Sequence, residues 1–198
     1  MNAQTPSNNT TGLVTYTDPS GFTLQYPPLW EVEYSEPITR FDNPTTTFTV
    51  KPGLGSVVTV SVLNDQEGMD EDVGDLAFSL FANQYERNNP GVSVDASDSD
   101  TYQIDGNTAF ALLTSGSYGA FTNDVTSSIS DFDMKSLVLL SYFGDSALRL
   151  QFVAPAAAFE SGIQDVDRMI DSIGVTGQGE SQEEDSDNDD DNDNENEE

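Results

Sequence analysis

The opening third of the chain alternates. Phe22, Leu24 and Tyr26 interleave with Thr23 and Gln25, and Trp30, Val32 and Tyr34 interleave with Glu31 and Glu33. A period of two places successive side chains on opposite faces, so each run predicts a strand with one buried and one wet face. Val14 to Asp18 predicts a shorter strand ahead of them, closed by the turn signal Pro19-Ser20-Gly21. Between the two alternating runs stand Pro27-Pro28, which cannot donate ladder hydrogen bonds and must end the first strand in a corner. Trp30, the single tryptophan of the chain, follows directly and reads as the anchor of that corner rather than a ligand-facing ring. Thr46 to Lys51 and Val57 to Leu63 are β-branched runs joined by Pro52-Gly53-Leu54-Gly55, the pattern of a hairpin.

The period then changes. Asp75 to Asn88 sets Ala77, Phe78, Phe81, Ala82 and Tyr85 along one helical face, and Asn89-Pro90-Gly91 stops it. Strands resume near Tyr102, with Asp105-Gly106 a hairpin signal before Thr108 to Leu113. A polar loop, Ser115 to Asp131, precedes a second long hairpin, Met134 to Phe143 and Ala147 to Val153, around Gly144-Asp145. The last element is a helix opened by Pro155, with Phe159, Ile163, Val166, Ile170 and Ile173 in one stripe and Gly174 placed for a left-handed C-terminal cap. Strands, helix, strands, helix, with hairpins between adjacent strands, predict an α+β fold. In it helices pack against a central antiparallel β-sheet as layers.

Composition sets the boundaries. From residue 177 the chain contains no apolar side chain, so residues 177–198 are expected to form a disordered acidic tail. Residues 1–12 form a polar stub, and residues 13–176 form the domain. The stub has no apolar core of its own and reads as what remains after a signal peptide is removed, which places the protein outside the cell or on its surface. No run approaches the roughly 20 apolar residues of a membrane span.

Charge excludes more. Of 36 acidic residues the stretch from Glu180 carries 12, leaving 36 − 12 = 24 against all six bases, a net charge near −18 outside the tail. That balance opposes nucleic acid, which requires clustered Lys and Arg, and it suits divalent cations or a basic protein partner. With no histidine and no cysteine, the Ser-His triad, the thiolate nucleophile and the usual zinc ligands are all absent.

Three acidic stretches are candidate cation sites. The loop NDQEGMDEDVGD carries Asp65, Glu67, Asp70, Glu71, Asp72 and Asp75, hard oxygen ligands of the kind calcium takes, but without the order of an EF-hand. Of these, Asp65, Glu67, Asp70 and Asp72 form the candidate metal set, with calcium as the implied cofactor. Asp72 and Asp75 also serve as caps for the following helix. In the tail, Asp185, Asp187, Asp189, Asp191 and Asp193 fall on alternate positions, without the glycines or apolar anchors that would order them. Asp131 and Asp133, flanking Phe132, form a third group, with Asp124 in the loop before them.

Once these elements are in order, a resemblance follows. YTDPSGFTLQYPPLWEVE, then YQIDGNTAFALLTSGS, then LRLQFVAPAAAFESGIQDVDRMIDSIGV resemble, in that sequence, the opening, the middle hairpin and the closing strand and helix of the PsbP-like domain family. The resemblance spans Val14 to Val175. It implies a central antiparallel β-sheet flanked by helices, an α/β/α sandwich, and a non-catalytic accessory or binding module; its protein partner is expected to be basic, from the charge, or of the cell envelope. The family includes an extrinsic photosystem II subunit that supports calcium and chloride retention, and a branch that binds the Ran GTPase. The chain departs from the photosystem subunit in having only Lys51 and Lys135 and no histidine, so docking of that kind is not expected. Calcium binding by the acidic loop or tail is the alternative function. Hydrolysis by a carboxylate pair is the third, although no spacing singles out a pair.

Overall fold

The computed structural model describes residues 12–36, 45–50, 56–63, 79–85, 87, 89–117, 133–144 and 146–175. Among the described residues there are ten strands: β1 (Val14–Thr17), β2 (Phe22–Tyr26), β3 (Trp30–Ser35), β4 (Thr45–Val50), β5 (Val57–Leu63), β6 (Val92–Ile104), β7 (Asn107–Ser117), β8 (Asp133–Phe143), β9 (Ser146–Pro155) and β10 (Gly174–Val175). Helix α1 covers 79–85, and helix α2 covers Ala156–Ile170.

The strands form two antiparallel sheets, one of order β1-β2-β10 and a seven-stranded one of order β3-β4-β5-β9-β8-β7-β6. This corrects the expected α/β/α sandwich. The protein is mostly β-sheet, and one face of the large sheet is covered by a second sheet together with α2. The physical reason lies at Pro27-Pro28. The corner does not return the chain to the sheet it left. It carries it from β2 in the small sheet to β3 at the edge of the large one. A period of two reports that a strand is half buried, and not which sheet it joins. The partner β10 is two residues long, too short to show any period.

Register explains the core. Across the large sheet Val32, Phe48, Val58, Phe152 and Leu137 sit opposite one another in turn, and Val60, Leu150, Leu139 and Ala111 make the next row. These rows belong to one apolar cluster that also takes Phe22 and Leu24 from β2 and Phe159, Val166, Met169 and Ile170 from α2. Tyr16, Tyr26 and Phe48 join the two sheets through ring contacts of 5.6 Å (Tyr16–Phe48, edge-on) and 5.3 Å (Tyr26–Phe48). On the opposite face a smaller cluster joins Tyr85, Val92, Phe110, Leu112 and Val138, with Phe81 and Ala82 of α1 packed against it.

Local chemistry follows the sequence at several points. Asp105 (φ 50°) and Gly106 (φ 79°) both occupy the left-handed region, as a tight two-residue hairpin between right-twisted strands requires. The chain after α1 turns at Asn89, whose N–H donates to the Tyr85 carbonyl at 2.9 Å. Two expectations are corrected. Strand pairing resumes at Val92, ten residues before Tyr102, because acidic residues interrupt the apolar alternation of β6 and its register slips twice. Gly174 is not a left-handed cap: α2 ends at Asp171 in right-handed geometry, and Gly174 pairs with Thr23 in the small sheet.

Helix α2 approaches the sheet most closely at Gly162, where a Cβ would lie 2.7 Å from Cζ of Phe152. That ring is fully buried and stacks on Phe159 at 5.2 Å, so it has little room to yield. Gly162→Ala is therefore expected to destabilise the fold by about 1–2 kcal/mol, against the gain that alanine brings to a helix interior. Chemical denaturation measures it, and a more stable variant would show that the ring moves freely.

Candidate functional site

Most of the sequence-predicted site residues, Asp65, Glu67, Asp70, Glu71, Asp72, Asp75, Asp124, Asp131 and the tail aspartates, lie outside the described residues. Asp133 is described. It opens β8 on the surface and lines a cleft of ≈ 420 Å³ with Ser93, Ser115, Ser117 and Lys135. Lys135 is already engaged there, 3.7 Å from Glu160 Oε1 and over the Phe159 ring. Among the described residues, no group of three or more acidic side chains is placed to hold a metal ion. The Trp30 ring is buried, 7% exposed, and the backbone N–H of Trp30 donates to the Pro27 carbonyl at 3.0 Å, so the residue anchors the corner from inside the core.

The structure draws attention instead to residues the pattern did not single out. Tyr102 and Gln103, near the end of edge strand β6, face Asp167, Ile170 and Asp171 of α2 across a groove of ≈ 320 Å³. Asp167 sits on the border of the helix's buried face. Desolvation raises its carboxyl above the ordinary carboxylate value. Asp171, one turn on, raises it further, and the Tyr102 hydroxyl, donating to the carboxylate, opposes both. Burial raises the Tyr102 hydroxyl in turn, assisted by the charge of Asp167. One oxygen, Asp167 Oδ1, is buried without a hydrogen-bond partner. The nearest helical base, Arg168, is committed to Asp165 at 3.3 Å. One signal in the sequence pointed here. Asp167 follows Ile163 by four and precedes Ile170 by three, the spacing of the inward stripe, so an acid intrudes on an apolar face.

The sign of this shift makes a prediction. A carboxyl raised in the folded state is penalised when ionised, so the stability of the fold falls as pH rises through its titration. Asp167→Asn keeps an acceptor for Tyr102 and removes the charge. It is expected to stabilise the protein at pH 7, with the gain disappearing as pH falls below the ordinary carboxylate value. Urea midpoints at neutral and acidic pH test this, and a loss of stability at pH 7 would contradict it.

No family model and no curated protein sequence matches the chain. Solved structures do. The chain is similar to the solution structure of cyanobacterial PsbP (CyanoP) from Synechocystis sp. PCC 6803, with a TM-score of 0.59 at 10% identity, covering 87% of this chain and 98% of that one. It is also similar to a crystal structure from Bacteroides thetaiotaomicron VPI-5482, with a TM-score of 0.51 at 12% identity, covering 84% of this chain and 49% of that one. Over most of its length, the fold of this protein is PsbP-like.

Proposed function

We propose that the protein is a non-catalytic accessory module, secreted or surface-exposed, that acts by binding a protein partner. One observation supports this reading: the groove beside Asp167 is lined by two carboxylates, a phenol and an amide, with no Lys or Arg among its lining residues. Such a constellation offers acceptors to a cationic surface and supplies no activated nucleophile. The remaining composition agrees, since a net charge of −30 and two lysines suit recognition of a basic partner. Among the described residues, no helix is long and apolar enough to cross a membrane.

The density of carboxylates between Asp65 and Asp75 supports the alternative, a calcium-binding role. Calorimetric titration of the full-length protein with calcium separates the two. The accessory-module reading expects no saturable heat below millimolar calcium. Stoichiometric uptake at micromolar calcium would replace it with the cation-binding one.

A further inference from the structure

The two edges of the large sheet are built differently. At one edge β6 slips register twice against β7, between Val94 and Ala96 and between Asp98 and Tyr102, and such irregularities keep an edge from templating a straight strand. At the other edge β3 pairs with β4 in unbroken register from Trp30 to Ser35, and among the described residues no strand pairs with its outer side. An edge of this kind presents a row of backbone donors and acceptors to any extended chain that approaches it. The apolar rows of the core run out here as well. Leu137, Phe152, Val58 and Phe48 are at most 5% exposed, whereas Val32, which ends that row, is only half-buried.

The side chains of β3 decide what this edge can accept. Val32 faces the main apolar cluster, while Glu31 and Glu33 stand exposed on the opposite face. Thr47 lies directly across from Glu33, so the position opposite on β4 holds no base. A second copy of the chain fits poorly. Antiparallel pairing of two β3 strands about Val32 would set Glu31 of each against Glu33 of the other, and like charges directly opposite destabilise a ladder. Lys or Arg at alternate positions would meet these carboxylates favourably, and apolar residues between them would prolong the Val32 row. The glutamates thus leave the backbone ladder open and act on the choice of partner.

Resting on the accessory-module reading above, we propose that the outer edge of β3 receives an extended segment of the protein partner, alternating basic and apolar residues, as an added strand of the large sheet. The test uses full-length protein and a hexapeptide of alternating valine and lysine, followed by calorimetry and by amide hydrogen exchange. Binding is expected, with new protection at the β3 amides that face away from β4. A hexapeptide with glutamate in place of lysine should bind at least about tenfold more weakly. Glu33→Lys should weaken the lysine peptide by about fivefold and strengthen the glutamate peptide, a gain that loss of folding cannot mimic. The control is Glu160→Lys, the same change of charge on α2, expected to alter affinity by less than about twofold. No binding of the lysine peptide, equal weakening by both variants, or protection gained away from β3 would each overturn the edge assignment. Dimerisation of the unaltered chain with protection at β3 would give the edge to a second copy and overturn the choice of partner. Failure of the accessory-module reading would show separately, as the absence of any native partner.

Discussion

Trp30→Ala is expected to lower the unfolding free energy by ~3–5 kcal/mol, while Leu29→Ala, one residue earlier, should change it by no more than about 0.5 kcal/mol. The contrast follows from burial. Trp30 is 7% exposed and belongs to the main apolar cluster, whereas Leu29 is 76% exposed at the tip of the turn. Losing the indole leaves a cavity where the chain crosses from the small sheet to the large one, so the cost includes poorer alignment of β3 on β4. Denaturant unfolding of the two variants decides the matter. A near-native midpoint for Trp30→Ala would return this corner to the surface and reopen it as a binding site.

Asp18→Ala should cost about 3 kcal/mol, from charge-assisted hydrogen bonds of about 1.5–3 kcal/mol each, counted less than additively. Asp18 closes the β1–β2 turn by accepting from the Ser20 N–H at 2.8 Å and from the Ser20 hydroxyl. Its second oxygen accepts from the Thr46 hydroxyl on β4. Carboxylate and hydroxyl are both buried, so the link ties the small sheet to the large one inside the molecule. Removing the carboxylate leaves the Thr46 hydroxyl with only a long 3.5 Å contact to the Tyr16 hydroxyl. Thr46→Val in the same chain should therefore recover part of the loss, since it removes the poorly paired buried hydroxyl and gives up only the long contact to the part-buried Tyr16. Additive losses would show that the two groups are not coupled.

These two residues also mark what could be read from the sequence. The corner at Pro27-Pro28, the burial of Trp30, the Asp105-Gly106 turn and the inward stripe of α2 were legible, because each depends on local chemistry and short-range period. What was not legible depends on distance along the chain. Asp18 and Thr46 meet across 28 residues, β10 returns to β2 from far along the chain, and Tyr102 meets Asp167 only because the C-terminal end of α2 reaches the β6 edge. Division of the strands into two sheets belongs to the same class, since alternation is identical whichever sheet a strand joins. The candidate site suffered for that reason. Reading acids by density directed attention to the 65–75 loop, whereas in the described fold the informative acid is a single one that interrupts an apolar face.

The accessory-module account stands most directly on whether the protein holds a native partner. Full-length protein, immobilised and exposed to native cell-envelope extract with mild crosslinking, is predicted to retain one reproducible protein in near-stoichiometric amount. That protein should present a basic surface, and its retention should weaken as salt is raised. If repeated captures with the unaltered chain retain no stoichiometric protein, the account is contradicted.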